Sequence, residues 1–268
     1  ILMAHYDSAP VSLLYLPSQV KGMQRSVKIG VLLMACAVAI VLMQALHMGQ
    51  PWVSWLRYAL AAYFLGMGVV TSFDYLRYGY TNGASDNATG TAAAITTARR
   101  LWENSIPGWQ VELVLTGAEE AGMVGAKQYF KKYKETLHPD NTFVLNFDSL
   151  GRGDLKVIKT TGSLTPVVYD NALFDAALKT IEENPEFSTI KPASWHTGDF
   201  DTIWFARAGV PCLTLSAQDK EGCIPYLHRR KDTMDTIDEA LTKNSVDFAE
   251  AVVKTCATHW DGALKLGT

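Results

Sequence analysis

Residues 110–120 read QVELVLTGAEE, an apolar stretch that is followed within three residues by two adjacent glutamates. The run 110–116 predicts a strand, because it is short and rich in valine, leucine and threonine. A second apolar run, 142–147, is followed directly by Asp148. Acidic residues at the ends of successive strands are typical of an open α/β sheet, in which sites form at the carboxyl ends of strands.

Strands and helices alternate along the chain on both sides of this stretch. Further strands are predicted at 1–4, 155–160 and 210–215, and amphipathic helices at 88–103, 120–136, 166–183, 200–208 and 236–264. This alternation predicts an α/β fold with a central, mostly parallel or mixed sheet and helices on both faces.

The composition excludes several classes of protein. The chain has 268 residues, a net charge of −3 and a sequence pI of about 6.1, which argues against a nucleic-acid-binding protein driven by electrostatics. Four cysteines are too few for a disulfide scaffold of this length, although Cys212 and Cys223 are close enough in sequence to pair.

Two apolar runs interrupt this otherwise ordinary composition. Residues 29–48 carry no charge and residues 52–73 carry only Arg57, so these 42 residues hold one of the 51 charges in the chain. At about 1.5 Å per residue, each run would span roughly the 30 Å hydrocarbon layer of a bilayer. We therefore expect a transmembrane hairpin; a buried hairpin or an apolar lid over a pocket is the alternative.

The hairpin divides the predicted catalytic domain into two parts. Residues 1–20 would begin that domain, residues 21–79 would form the inserted hairpin and residues 80–268 would complete the domain. Because a strand is predicted from the first residue, we also expect a further part of the domain upstream of the sequence.

Basic residues flank one end of the hairpin. Lys21, Arg25, Lys28 and Arg77 lie near the ends that enter the main domain, whereas the connecting turn has no lysine or arginine. The positive-inside rule then places the membrane-bound catalytic domain on the cytoplasmic side.

Histidines and acidic residues recur in five separate connections between the predicted elements. Taken singly, each has an ordinary explanation, such as a helix cap, a first-turn acid or a solvated loop histidine. Together, two imidazoles and several carboxylates suit Zn²⁺ best, with Mn²⁺ or Co²⁺ as alternatives. The residues are His5, Asp7, Asp86, Glu119, Glu120, Asp148 and His228.

The order of these residues resembles that of the co-catalytic dizinc aminopeptidases, which are zinc-dependent exopeptidases of clan MH related to glutamate carboxypeptidases and glutaminyl cyclases. The resemblance covers residues 1–8 and about 80–260, and it implies a three-layer zinc-exopeptidase-like fold and a peptide substrate. The stretches that carry it are AHYDS, SDNATG, TGAEEAG, NFDSLGRG, FARAGVPCLTL and LHRRKDTMDTID.

The resemblance also implies a role for each residue. Asp86 would bridge two zinc ions, and Glu119 would be the general acid/base. Asp7 would accept a hydrogen bond from His5 and orient its ring. The remaining metal ligands would be His5 and Asp148 on one ion, and Glu120 and His228 on the other. A cis peptide bond between Asp86 and Asn87 is implied as well.

Two other functions remain open at this stage. A glutaminyl-cyclase-like acyltransferase would use one zinc ion, and a membrane-anchored domain of the same fold would have no activity. The residues that bind the substrate side chain are not assigned; Asp199 and His196 are weak candidates for the pocket.

The hairpin lies between the first metal ligand and the bridging one, where soluble relatives of the resembled family have a short loop. Loop-closure entropy grows slowly with length, so an insertion here is thermodynamically tolerable. Both ends of the insertion lead into residues of the metal site. The hypothesis is that the hairpin holds the catalytic cleft close to a membrane surface.

Overall fold

The structure is a computed structural model that describes residues 1–46 and 50–259. Three sequence predictions fall partly outside these residues: the end of the first apolar run at 47–48, the connecting turn at position 49, and the helix end at 260–264.

Within the described residues, seven strands form one central mixed sheet. A central, mostly parallel or mixed sheet is what the sequence predicted, with five of these strands. The order across the sheet is β2-β1-β3-β7-β4-β5, with β6 also paired to β4. The first four of these strands are parallel to one another, whereas β4 is antiparallel to β7 and to β5. The strands are β1 (Leu2–His5), β2 (Leu113–Thr116), β3 (Val144–Phe147), β4 (Asp154–Thr161), β5 (Val167–Val168), β6 (Lys191–Trp195) and β7 (Cys212–Gln218).

Helices cover both faces of the sheet and complete three layers. The α3, α5 and α7 helices pack against one face around Leu2 and Ala4, and α4 and α6 pack against the other face near Met3. Successive side chains of β1 point to opposite faces, which is why the strand is apolar throughout. The helices are α1 (Pro17–Ala45), α2 (Pro51–Tyr78), α3 (Gly90–Glu103), α4 (Val124–Tyr133), α5 (Ala172–Glu183), α6 (Ile203–Arg207) and α7 (Glu239–His259).

The edge of the sheet differs from the prediction. Residues 167–168 belong to β5 rather than to the start of a helix, and β6 was not predicted. Both strands lie outside the buried parallel strands, and most residues of β6 are at least partly exposed. Without a buried face, the sequence of an edge strand lacks the apolar pattern on which strand prediction depends.

The apolar insertion forms two antiparallel helices that contact each other. Ile40 of α1 and Val53 and Leu60 of α2 are buried where the helices meet. At the turn, Gln44 Nε2 donates a hydrogen bond to Ser54 Oγ. The charged residue of the second apolar run, Arg57, donates a hydrogen bond to Gln44 Oε1 near the same turn.

The chain closes the insertion at its base. The Val11 N–H donates to the carbonyl of Gly79, and the Thr81 N–H donates to the carbonyl of Ala9. Asp74 of α2 is 3% exposed, and its carboxylate accepts a hydrogen bond from the Leu13 backbone N–H. The two helices are therefore fixed to the α/β domain through backbone pairing and one buried carboxylate.

A close packing contact positions α3 beneath the ends of two strands. A β-carbon at Gly90 would overlap Asn87 Oδ1 and lie 2.5 Å from the carbonyl oxygen of Phe147. Glycine is required here because the helix begins against the backbone of β3.

We expect Gly90→Ala to lower the free energy of unfolding by about 1–3 kcal/mol, because the added methyl group overpacks this contact. The matched control is Gly22→Ala, since nothing lies within 4 Å of a β-carbon at that helical position. Denaturant unfolding of both variants measures the effect, and equal stability of the two would contradict this account of Gly90.

Candidate metal centre

The four parallel strands end at one edge of the sheet, and each leads to a predicted site residue. His5 is the last residue of β1, Glu119 lies three residues beyond β2, and Asp148 follows β3 directly. His228 lies in the loop after β7, and Asp86 lies just before α3. The carboxyl ends of parallel strands meet at one edge, which brings together residues that are far apart in sequence.

Five of the seven predicted site residues form two groups that share Asp86. In the first group, His5 Nε2 lies 3.3 Å from Asp86 Oδ1 and 3.5 Å from Asp148 Oδ2. In the second, His228 Nε2 lies 3.3 Å from Asp86 Oδ2 and 3.1 Å from Glu120 Oε2. Each group offers ligand atoms that all lie within 4.8 Å of one another. The division is the same as the one the resemblance implies, and ligation itself stays a prediction.

The donor set fits divalent cations. Asp86 and Asp148 are 3% and 4% exposed, and the oxygens Asp86 Oδ2 and Glu120 Oε1 are buried without a hydrogen-bond donor. Buried carboxylate oxygens that lack donors are costly unless a cation compensates them. Carboxylates combined with imidazole nitrogens form the ligand type that zinc accepts.

The two imidazoles and Asp86 stabilise one another's charged forms. Burial by itself would lower the pKa of His228, but its contacts with Asp86 and Glu120 outweigh that effect and raise it to about 10. Burial would raise the pKa of Asp86, yet the two histidines hold it well below the usual range. Burial raises the pKa of Glu120 to about 7. The buried carboxylates therefore favour positive charge next to them, whether on an imidazole or on a bound cation.

Asn87 holds the ends of β1 and β3 next to Asp86. Its amide nitrogen donates to the carbonyls of His5 and Phe147, and its amide oxygen accepts a hydrogen bond from the Ser149 N–H. The peptide bond between Asp86 and Asn87 is cis, as the resemblance implied.

Asp232 fixes the backbone of Asp86, a role that sequence analysis did not assign. Its carboxylate is 1% exposed and accepts hydrogen bonds from the backbone N–H groups of Ser85 and Asp86, at 2.6 and 3.2 Å. The motif containing His228 and Asp232 was the available signal, but it did not reveal a partner more than 140 residues away.

Asp7 contacts His5 differently from the expectation. His5 Nδ1 lies 3.1 Å from the backbone carbonyl of Asp7 and 3.6 Å from its carboxylate. The carboxylate instead accepts hydrogen bonds from the N–H groups of Glu119 and Glu120. Asp7 therefore holds both the ring of His5, through its backbone, and the turn that carries the two glutamates.

Glu119 faces the cleft without belonging to either group. Its carboxylate has no hydrogen-bond or ion-pair partner within residues 1–46 and 50–259, and it lines the cleft beside the two histidines. Burial raises the pKa of Glu119 well above that of an ordinary glutamate, although the positive charge of His5 opposes the shift. A carboxyl group with a raised pKa is suited to accept and return a proton near neutral pH.

Backbone conformations with positive φ occur beside the site residues. Ala118 precedes Glu119, Ser149 follows Asp148, and His228 itself is left-handed, with φ between 52° and 55°. Such conformations are uncommon for residues other than glycine and accumulate at functional sites. They turn the chain sharply at the strand ends, so that the side chains point inward.

The cleft over the donor groups has a volume of about 200 Å³, and apolar side chains form part of its wall beside the charged residues. Tyr15, from the segment before the hairpin, packs its ring 4.0 Å from the ring of His228. Sequence analysis missed this residue because no motif surrounds it. The apolar wall residues are Met123, Trp195, Phe200, Ile224 and Leu227.

The weaker sequence candidates lie in different places. Asp199 lines the cleft and accepts a hydrogen bond from Thr161. His196 is absent from the cleft lining, as far as the described residues define it.

Asp201 was not predicted. It is fully buried behind β2, it accepts a hydrogen bond from Thr116, and burial raises its pKa to about 6. Cys212 and Cys223 are free thiols.

Part of the chain is similar in sequence to a known protein. A curated relative, the alkaline phosphatase isozyme conversion protein of Escherichia coli (strain K12), is 28% identical over 141 residues, which are 50% of this chain and 40% of that protein. The chain therefore spans about two fifths of that relative's length.

Solved structures share the fold. BSAP, a zinc aminopeptidase from Bacillus subtilis, superposes with a TM-score of 0.53 at 22% identity over 65% of this chain and 42% of that one. A glutaminyl cyclase from an Acidobacteriales bacterium gives a TM-score of 0.53 at 18% identity over 66% of this chain and 62% of that one.

The family itself follows from a match across most of the chain. The family model for Peptidase family M28 matches residues 69–253, which include Asp86, Glu119, Glu120, Asp148 and His228. This chain therefore belongs to Peptidase family M28.

Proposed function

We propose that this chain is a zinc-dependent exopeptidase that removes N-terminal residues from peptides. The observation that carries the proposal is the pair of donor groups that share Asp86, with the unpartnered carboxylate of Glu119 beside them. Two zinc ions bound by these groups would activate a water molecule and polarise the scissile carbonyl.

Glu119 would move the proton in this reaction. Its carboxylate accepts a proton from the attacking water and later returns it to the leaving amine. The raised pKa favours this exchange, and Asp7 keeps the carboxylate in place by binding the backbone N–H of Glu119. Ser85 and Asp86 are held by Asp232, so the bridging carboxylate is positioned before any substrate enters.

The cleft suits the end of a peptide. A volume of about 200 Å³ is smaller than the roughly 300–1,000 Å³ of typical small-molecule pockets. It has room for a terminal residue rather than an internal stretch of chain. Walls formed by Trp195, Phe200 and Leu227 favour an apolar side chain at this position.

The similarities support the same proposal. The family is one of peptidases, and BSAP, which shares the fold, is a zinc aminopeptidase. A glutaminyl cyclase shares the fold as well, so a single-zinc acyltransferase is the second candidate. The presence of both donor groups favours the two-metal peptidase.

Metal content combined with turnover tests the proposed function. We expect two zinc ions per purified chain, because each donor group offers three candidate ligand side chains. We also expect hydrolysis of an aminoacyl-anilide. Elemental analysis of the protein gives the stoichiometry. One ion with cyclisation of an N-terminal glutamine would indicate the cyclase, and no activity in the metal-loaded protein would contradict both enzymes.

Replacing the proposed proton carrier separates catalysis from metal binding. Glu119→Gln should keep both zinc ions and lower kcat by about 10²–10⁴-fold, the range associated with general acid–base catalysis. Its matched comparison is Glu120→Gln, which should reduce zinc content because Glu120 belongs to a donor group. Near-normal turnover in Glu119→Gln would rule out this role for Glu119.

We further propose that α1 and α2 cross a membrane as the hairpin of residues 21–79. By length and composition, both helices are able to span a bilayer. Trp55, Leu65 and Leu76 are 77%, 71% and 79% exposed, so the structure gives much of the apolar surface no cover. Exposed apolar patches of this kind mark membrane or protein interfaces. The flanking Lys21, Arg25, Lys28 and Arg77 favour a cytoplasmic catalytic domain.

Removing the hairpin tests its role. We expect that replacing residues 22–77 by a short glycine–serine linker releases the protein from membranes, because the replacement removes both apolar helices. The rest of the domain should still fold, since residues 9–11 can pair with 79–81 at the base. Fractionation of cells expressing either form measures the change. If the shortened protein still sedimented with membranes, the hairpin would not be the anchor. Protease treatment of oriented vesicles reports the side of the catalytic domain.

A further inference from the structure

A second and larger cavity lies where the hairpin meets the catalytic domain. Its volume is about 900 Å³, and it opens between the base of α1 and α2 and the loop 219–231. Tyr15 and Ile224 line both this cavity and the catalytic cleft. We refer to it below as the hairpin cavity.

Four cationic side chains line the hairpin cavity: Arg152, Arg229, Arg230 and Lys231. None of them has a carboxylate oxygen within 4.0 Å among the residues that the structure describes. Elsewhere in the chain, cations such as Arg100 and Lys243 form ion pairs. The cavity therefore holds a cluster of positive charge without a partner of opposite sign.

The two acidic residues in the cavity wall are already occupied by backbone donors. The carboxylate of Asp74 accepts a hydrogen bond from the Leu13 N–H at 2.6 Å. The carboxylate of Asp219 accepts hydrogen bonds from the N–H groups of Glu221 and Cys223. These contacts hold the two carboxylates in the wall, and the four cations remain able to bind an anionic ligand.

The cations are held in place within this wall. Arg229 is half-buried, and its Nη1 is buried without a hydrogen-bond partner among the residues that the structure describes. A buried guanidinium nitrogen of this kind is costly unless an acceptor is supplied. The Arg230 guanidinium lies 4.5 Å above the ring of Tyr78 in α2. Arg152 donates to the carbonyl of Thr236, and Arg152 and Lys231 flank the ring of Tyr226.

The depth of the cavity matches the headgroup layer of a bilayer. Asp74 and Tyr78 follow the last residue of the second apolar run by one and five residues, or about 1.5 to 7.5 Å of helix. The headgroup regions add roughly 10–15 Å in total to the hydrocarbon thickness of a bilayer. Apolar residues such as Leu13, Leu16 and Val20 line the same cavity and suit acyl chains.

We propose that the hairpin cavity binds the headgroup of an anionic phospholipid, with Arg229, Arg230, Lys231 and Arg152 around its phosphate. This inference rests on the proposed membrane position of the hairpin and does not depend on peptidase activity. Unpaired cations at headgroup depth, next to apolar walls, fit an anionic lipid better than a soluble anion, which would leave those walls wet.

Lipid binding at this position would also contact the catalytic site. Tyr15 lines the hairpin cavity on one side and packs against His228 on the other. The adjoining loop 219–231 is tied to α1 by an ion pair between Lys21 and Glu221 at 2.8 Å. A bound lipid would therefore fix the segments that hold Tyr15 and His228 together.

Native mass spectrometry of the full chain in an uncharged detergent tests the proposal. Phosphatidylglycerol and phosphatidylcholine are titrated separately, and we expect phosphatidylglycerol to bind at least tenfold more tightly. Arg230→Gln/Lys231→Gln should weaken phosphatidylglycerol binding about tenfold or more, since each surface cation contributes about fivefold. Phosphatidylcholine binding should be unchanged.

Two further variants make the result specific. Arg152→Gln removes a cation that a different loop, the one after β3, contributes to the cavity. It should weaken phosphatidylglycerol binding about fivefold, which keeps the test open if the double variant folds poorly. Lys131→Gln/Lys132→Gln removes the same charge from α4, away from the cavity, and should have no effect. Thermal unfolding and zinc content verify that each variant is folded.

Three outcomes would overturn the proposal. The first is equal binding of the two lipids by the unmodified chain. The second is undiminished phosphatidylglycerol binding in both cavity variants. The third is displacement of the lipid by inorganic phosphate or triglutamate at the same concentration. The last outcome would assign the cavity to a soluble anion. All readouts are independent of turnover, so an inactive protein that binds the lipid as expected would contradict the peptidase proposal alone.

Discussion

The side chain of Asn87 is the constraint on which the geometry of the site depends. Its amide satisfies two buried carbonyls, at the ends of β1 and β3, and its oxygen accepts the backbone N–H that follows Asp148. An unsatisfied buried backbone group costs about 1–3 kcal/mol, so these three contacts strongly favour one arrangement of the strand ends. Gly90 permits the approach, because a β-carbon there would overlap Asn87. His5, Asp86 and Asp148 are consequently held in fixed relative positions.

Around this frame, the protein concentrates acidic groups where water has little access. Asp86, Asp148, Asp201 and Asp232 are all at most 4% exposed. Burying carboxylates close together is unfavourable, and part of the compensation comes from backbone N–H groups, as for Asp232. The remaining charge is compensated by cations, either protons on the two histidines or metal ions. The same balance explains why Glu119, which lacks a donor, has a raised pKa.

The hairpin adds a second constraint, because it joins this site at both of its ends. Pairing of residues 9–11 with 79–81 closes the insertion, so the interval between His5 and Asp86 does not disturb the sheet. The short segment between β1 and α1 carries Tyr15 against His228, and Asp74 of α2 holds that segment by the N–H of Leu13. These contacts link the candidate metal centre to the apolar helices.

The sequence by itself determined the buried strands, the two apolar helices and the order of the candidate site residues along the chain. These features are local, since strand patterns, motifs and charge-free runs are read over short stretches of sequence. The division of the candidate ligands into two groups that share Asp86 came from the family resemblance that the motifs carry. Only the tertiary structure decided that Asp7 holds the turn of Glu119, that Asp232 supports Asp86, that Tyr15 contacts His228 and that four cations surround one cavity. The edge strands β5 and β6 also escaped prediction, because strands without a buried face carry little apolar pattern. The physical reason is distance along the chain: Asp7 and Asp232 bind backbone groups 112 and 147 residues away, and such contacts arise from packing rather than from local preference.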